Sequence, residues 1–232
     1  MSRRWQQVRH QLRRNRPAQF SLFVLFIFVI AALCAGLSPY DPDRMALGAR
    51  TLPPDSAHWF GTDEYGRDYF TRALYGGQIS LMVGFLAMLF STLIGTVVGT
   101  VSGYFGGWLD NLMMRAVDIL MAIPAFFLLL VVNAYLKPGV DNIILIISLL
   151  TWMNMSRLVR AETLSVKERE YVLYARASGE HPLRIIVRHI IPGVLPTIIV
   201  AATLNIASAI LMESTLSFLG LGVQAPAASW GS

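Results

Sequence analysis

Between Phe20 and Leu37 the chain carries no Asp, Glu, Lys or Arg, and the run FSLFVLFIFVIAALCAGL is apolar on every side of any helix it forms. A helix needs about 20 apolar residues to cross the roughly 30 Å hydrocarbon core of a bilayer. Inside that core a backbone must satisfy its own hydrogen bonds, which helices and closed barrels alone achieve. Four further blocks repeat the pattern. Ile79 to Ser102 is equally uncharged, and Met113 to Leu136 carries Arg115 and Asp118 only near its start. Ile143 to Ser156 is shorter, extended on its N-terminal side by Val140, and Ile190 to Met212 is the last. The predicted fold is all-α, a polytopic transmembrane helical bundle with about five spans.

Composition closes off the other classes. The chain is 55% hydrophobic and 14% charged, against about a quarter charged in a soluble domain. A net charge of +5 raises nucleic acid as a partner. The arginines, however, sit beside apolar blocks with no recognition aromatics between them, so no nucleic-acid partner is expected. The single cysteine, Cys34, lies inside an apolar run, which leaves no disulfide framework and no CxxC metal pair. Six arginines precede or open the first block, as in a signal peptide. Its length, the absence of an A-x-A site and the Tyr40-Asp41-Pro42 ending favour an uncleaved anchor instead. The expected divisions are a basic tail (1–19), a first transmembrane helix (20–37), an extramembrane segment (38–78) and a core (79–232).

Orientation follows from basic residues flanking the spans. Arg3, Arg4, Arg9, Arg13, Arg14 and Arg16 stand without an acid, which places the N-terminus on the cytoplasmic side. Trp5, Val8 and Leu12 share a helical face there, suited to resting on membrane lipid. Five spans then return residues 157–189, with Arg157, Arg160, Lys167, Arg169, Arg176, Arg184 and Arg188, to the cytoplasm. The 38–78 segment lies outside, and its acids outnumber its basic residues six to four.

Catalytic chemistry is missing. No Gly-x-x-x-x-Gly-Lys phosphate loop occurs, for only Lys137 and Lys167 exist and neither follows a glycine-rich turn. No nucleophile elbow occurs, and His10, His58, His181 and His189 lack metal-ligand spacing. No catalytic residue, metal or cofactor of its own is assigned to the chain. An ion-coupled carrier would hold ionisable groups deep in the bilayer, yet Arg115, Asp118 and Glu213 all fall near block ends. Energy for uphill movement would have to enter from a partner in water.

Two patterns concern packing. Ala87, Ser91, Gly95, Gly99 and Gly103 recur every four residues and make a small-residue stripe that lets helices approach closely. The stripe serves either packing inside this chain or a subunit interface. In the last block Asn205, Ala209 and Glu213 share a face with Ser208 beside it. These polar groups serve interhelical hydrogen bonding or a solute path.

The basic segment 165–192 is built for docking. Helix-forming residues run to Ser178, Gly179 supplies a break that tolerates positive φ, and Pro182 suits the first turn of a new helix. Ile185, Ile186, His189 and Ile190 then form an amphipathic stripe. Two short helices around a glycine bend are predicted, projecting from the membrane; the alternative is a solvated basic linker.

Here the residues resemble a known family. The run Tyr171–Pro192 resembles the EAA loop of bacterial ABC importer permeases, with Ala175, Gly179, Ile190 and Pro192 matching. Leu173 and Tyr174 replace its acidic-Ala start, and Ile191 replaces leucine. His58-Trp59-Phe60-Gly61-Thr62-Asp63-Glu64-Tyr65-Gly66-Arg67-Asp68 resembles the HxxGTDxxGRD signature of the second permease of peptide, nickel and opine importers. Ser217–Gln224 with Pro226 and Ser229-Trp230-Gly231 resembles the stretch after that subfamily's fifth helix. Tyr104–Gly107 and Met114–Asp118 match it as well. The similarity runs from residue 20 onward and identifies a dipeptide or oligopeptide type of permease.

The resemblance implies the type I ABC importer permease fold, with six spans in the family and a sixth helix beyond Ser232, so the core is expected to be C-terminally incomplete. It implies a second homologous permease, cytoplasmic ATP-binding subunits and a periplasmic substrate-binding protein as partners, with ATP and Mg bound by the ATPase. The coupling loop would comprise Tyr171, Tyr174, Ala175, Arg176, Gly179, Ile190 and Pro192. Asn205, Ser208 and Glu213 are the candidate pathway or interhelical polar residues. Gly61, Thr62, Asp63, Gly66, Arg67 and Asp68 form the external signature. Asp63, Glu64 and Asp68 are hard oxygen ligands, but a calcium loop needs more oxygens at tighter alternation. A folded turn seating Arg67 and Asp68 against helix ends is expected there. Di- or oligopeptide import is the expected function. The other readings are import of nickel or another small solute and, in a different class, a membrane scaffold that transports nothing.

Overall fold

The structure, a computed structural model, describes residues 15–135 and 139–232. The Trp5, Val8, Leu12 face, most of the basic tail and Lys137 lie outside the described residues. Helices dominate, and among the described residues no strand forms; Thr62 and Asp68 make one isolated antiparallel bridge.

The chain divides into two compact units, one running to Leu81 and including Ala225–Trp230, the other Met82–Gln224 with Gly231–Ser232. In the first unit, α1 (Arg16–Leu33) continues as a tight 3-10 turn over Cys34–Leu37. It starts where Asn15 caps it, Oδ1 accepting from Ala18 N at 3.1 Å, with Pro17 in the first turn. Phe20, Leu22, Phe23, Leu25 and Phe26 are all exposed, as suits a helix whose outside is hydrocarbon rather than water. Gln78 donates to the Ala32 carbonyl at 2.7 Å, and Trp230 donates through Nε1 to Ala73 O at 3.1 Å and stacks edge-on with Phe28.

A single helix, α2 (Tyr69–Phe105), begins in the first unit and continues through the second. The second unit adds α3 (Gly107–Met121), α4 (Ala125–Tyr135), α5 (Val140–Val166), α6 (Glu170–Ala177), the single turn α7 (Pro182–Ile185) and α8 (Ile191–Phe218). A wide π-type turn over Ile186–Ile190 joins α7 to α8, next to Pro192, which has no N–H to give the preceding turn.

Among the described residues, four stretches are long and apolar enough to cross a membrane: Arg16–Leu37, Tyr69–Phe105, Val140–Val166 and Pro182–Phe218. The expected third span, Met113 to Leu136, departs from the reading. It is broken at Ala122–Pro124 into α3 and α4, because a proline ring disfavours helical backbone at the residue before it and removes a donor. The other spans run longer than their apolar blocks, since polar residues at each end continue the same helix.

The small-residue stripe packs inside the chain. A Cβ on Gly95 would lie 2.6 Å from Met155 side-chain atoms, one on Gly99 2.5 Å from Ser156 O, and one on Gly103 2.8 Å from Thr163 Cβ. All three contacts are with α5. Ala87, Ser91, Gly95, Gly99 and Gly103 are all buried.

Candidate functional site

Three places were singled out by sequence, and each has a definite geometry. The docking loop comes first. The helix α6 ends at Ala177, Ser178 caps it, and Gly179 adopts φ 75°. Gly179 N donates to Arg176 O and Glu180 N to Ala175 O, each at 3.1 Å, closing the helix end with the paired bonds of a Schellman cap. Pro182 opens α7, and His181 caps it by accepting from Leu183 N at 3.3 Å. The first short helix and the glycine bend are therefore as the sequence predicts. The second helix is not separate, however, and runs through the wide turn straight into α8.

The loop has two faces. Val172, Ala175, Ile185, Ile186 and Ile190 are buried in one cluster with Tyr104 of α2, Met155, Val159 and Val166 of α5, and Val194 and Ile198 of α8. On the other face Tyr174 is 76% exposed, with Tyr171, Leu173, Leu183 and Val187 also open. Tyr171, Tyr174, Ala175, Glu180, Arg188 and His189 line a hollow of about 780 Å³. Glu180, one of these lining residues, pairs with His189 Nε2 at 3.0 Å. So Tyr171, Tyr174 and the bend at Gly179 share the open side, while the Arg176 guanidinium turns back over the Tyr104 ring. Ala175 and Ile190 are anchors, 5% and 0% exposed, that fasten the loop to the long helices.

The signature segment is a self-bonded turn in the first unit. Asp63 takes Tyr65 N and Arg67 N on Oδ1, both at 2.9 Å, and Arg67 Nε on Oδ2 at 2.6 Å. Burial opposes ionisation of this carboxyl, yet those donors outweigh it and hold the group below the usual carboxylate range. Asp68 caps α2, its Oδ1 accepting from Thr71 N and Thr71 Oγ1 at 2.7 Å each, while His58 Nδ1 lies 2.9 Å from Oδ2. Burial again opposes and hydrogen bonding again lowers its pKa. Thr62 Oγ1 donates to Ala49 O and accepts from Leu52 N. Gly66, at φ 77°, leaves no room for a Cβ, which would lie 1.9 Å from Ala46 O. The six signature residues thus serve one another and the start of α2, and among the described residues no cluster fit to hold a metal forms.

The third place is α8. Glu213 is fully buried and accepts from Ser217 Oγ at 2.6 Å, and Ser217 Oγ in turn accepts from Val223 N at 3.0 Å. Ser208 is exposed and bonds within its own helix, to Leu204 O. Asn205 is half-buried. Glu213 and Ser208 are therefore not brought to one polar surface.

Sequence reasoning missed a junction at the end of α2. Arg160 of α5 grips Asp110 of α3 with both arms, Nε to Oδ1 and a terminal nitrogen to Oδ2, 2.6 Å each. Ser102 donates to the same carboxylate. The hydrogen bond from Arg160, with help from Ser102 and against burial, holds Asp110 below the usual carboxylate range. Lys167 Nζ donates to Gly103 O at 3.0 Å, and the Arg176 guanidinium lies over the Tyr104 ring at 5.3 Å. The only sequence hint is an acid three residues beyond a Gly-Gly pair.

Comparison with known proteins follows the same outline. Residues 95–232 match the family described as binding-protein-dependent transport system inner membrane component, and residues 3–54 match the N-terminal TM domain of oligopeptide transport permease C. The dipeptide transport system permease protein DppC of Bacillus subtilis (strain 168) is 44% identical over 222 residues, 95% of this chain and 69% of that protein. The oligopeptide transport system permease protein OppC of Escherichia coli (strain K12) is 43% identical over 231 residues, 98% and 76% of the two chains. OppC of Bacillus subtilis is 38% identical over 229 residues, 98% and 75%. The resemblance read from the signature turn and the docking loop holds: this chain belongs to the family of binding-protein-dependent transport system inner membrane components and is a multi-pass membrane permease.

Proposed function

We propose that the chain is one of two homologous permease subunits of an ATP-driven importer of di- or oligopeptides in a bacterial inner membrane. The observation that carries this reading is the two-faced loop, with its apolar back fully buried against α2, α5 and α8 and Tyr174 standing out from its front. Such a loop transmits force, because a push on the front moves long helices rather than a slack linker. The relatives, a dipeptide and an oligopeptide transport permease, supply the cargo class. ATP and Mg belong to separate ATPase subunits that dock at Tyr171, Tyr174, Arg176 and Gly179 from the cytoplasm. The N-terminus shares that side, and a periplasmic binding protein delivers peptide on the other, where the 38–78 segment lies.

The test is uptake of a labelled dipeptide into proteoliposomes holding this chain, its companion permease and the ATPase subunits, with binding protein outside. Uptake is expected to require ATP and to survive a protonophore. Tyr174→Ala is expected to weaken ATPase capture about tenfold, as loss of an exposed aromatic anchor does. Uptake abolished by the protonophore with ATP intact would make the protein an ion-coupled carrier. ATPase capture without any ATP-dependent uptake would make it a scaffold.

A further inference from the structure

We propose that the turn between α2 and α3 is clamped to the docking loop, and that Asp110 and Arg160 are positioning residues passing loop movement to the long helices. This inference rests on the docking reading above. Four residues of one continuous stretch, Arg160, Thr163, Lys167 and Arg176, reach the same short target, Ser102 to Asp110. Arg160 holds the Asp110 carboxylate at two points, 2.6 Å each. Lys167 bonds the Gly103 carbonyl, and Thr163 packs where a Cβ on Gly103 would sit. Arg176, on α6 itself, covers the face of Tyr104, which is 9% exposed and sits in the cluster with Val172 and Ala175.

The target is able to move as a unit. Gly106 and Gly107 adopt φ 66° and 58°, so α2 and α3 meet at a bend with little steric resistance. Within 4 Å a Cβ at Gly107 would meet nothing, and at Gly106 only Lys167 Nζ, at 3.9 Å. Across that pliable bend Ser102 bonds Asp110, and Arg160 bonds it from α5. A two-point arginine–carboxylate pair fixes direction as well as distance. The bend is hinged by its glycines and steered by its cations, so tilting α6 shifts the end of α2 through Tyr104 and the start of α3 through Asp110.

A connected set of contacts is not by itself evidence of coupling, so the test separates docking from transmission. In the assembled complex, capture of ATPase subunits and peptide uptake per ATP hydrolysed are read together. Asp110→Asn and Arg160→Lys are expected to leave capture unchanged and to lower uptake per ATP about fivefold or more. The reversed pair, Asp110→Arg with Arg160→Asp, is expected to recover more than the two single changes added together allow. Arg176→Gln removes the cation over Tyr104 and, compared at equal ATPase capture because Arg176 also belongs to the docking loop, should lower the same ratio about twofold to fivefold. An unchanged ratio in all of these overturns the clamp, and so does loss of capture in Asp110→Asn or Arg160→Lys.

If the unaltered chain captures no ATPase subunit, the docking reading fails on its own and amide exchange of the chain in detergent judges the clamp. Arg160→Lys should then speed exchange in Gly103–Asp110 and in Glu170–Ala177 together. Faster exchange in the first stretch alone overturns it.

Discussion

Arg67 donates through Nε to Asp63 at 2.6 Å, four residues back along the chain, and its own backbone N–H bonds the other oxygen of the same carboxylate. A turn held by one carboxylate is a turn that acid releases. Asp63 and Asp68 both titrate below their ordinary value in the folded chain, and in the unfolded chain near about 3.9. A depressed folded pKa gives stability that is whole above the unfolded value and lost as pH falls through the folded one. The 38–68 segment is therefore expected to resist a protease equally from pH 7 to 5 and to loosen below about pH 4. Protection unchanged down to pH 2 would show that the carboxylates do not hold it.

Removing the N-cap of α2 gives a second expectation. Asp68→Ala strips Thr71 of its acceptor and should cost about 1 kcal/mol, with Asp68→Ser recovering most of it. Thermal unfolding in detergent checks both, and equal midpoints for the three proteins would deny the cap a role.

At Gly99 a Cβ would sit 2.5 Å from the backbone oxygen of Ser156. Gly99→Ala must therefore push α2 from α5 and is expected to cost about 1–3 kcal/mol, as overpacking does. Gly36→Ala, where nothing lies within 4 Å, is the control and should fall within about 0.5 kcal/mol. Equal melting of the two would return the stripe to a subunit interface.

Much of this was legible beforehand because its causes are local. Apolar blocks mark the long helices, Gly179 and Pro182 mark the bend, and a four-residue spacing of small residues marks the face that meets α5. The break at Pro124 was hidden, since the residues around it are apolar and read as one span. The bond between Asp110 and Arg160 was hidden for another reason. Fifty residues separate the partners, and only the packing of α2 on α5 brings α3 within reach. The burial of Ile190 was hidden in the same way. Sequence names it as part of the loop, and its 0% exposure shows that it fastens that loop to the long helices.

Gly179 has open space around it, so its requirement is purely conformational. At φ 75° a β-branched side chain clashes with its own backbone, and Gly179→Val should cost about 1–2 kcal/mol. Gly179→Asn should cost less, because Asn tolerates left-handed backbone. The loss is local, so proteolysis between Ala177 and Pro182 should rise in the valine variant while the melting of the long helices changes little. Equal cleavage of valine and asparagine variants would mean the bend is not set by φ.

Glu213 decides between a solute path and a structural bond. Its side chain is fully buried, and the hydroxyl it receives from Ser217 is the same one that holds Val223 N. The chain of bonds fixes the turn that follows α8, and a neutral acceptor of the same shape fulfils that role as well as a carboxylate. Glu213→Gln is therefore expected to match the unaltered chain in melting and in peptide uptake per ATP. Glu213→Ala leaves a buried hydroxyl without its acceptor and should cost about 1–3 kcal/mol. A group on the transport path behaves in the opposite order, because there the charge matters and the shape does not. Normal melting with uptake lost in Glu213→Gln would move this residue from the scaffold to the pathway.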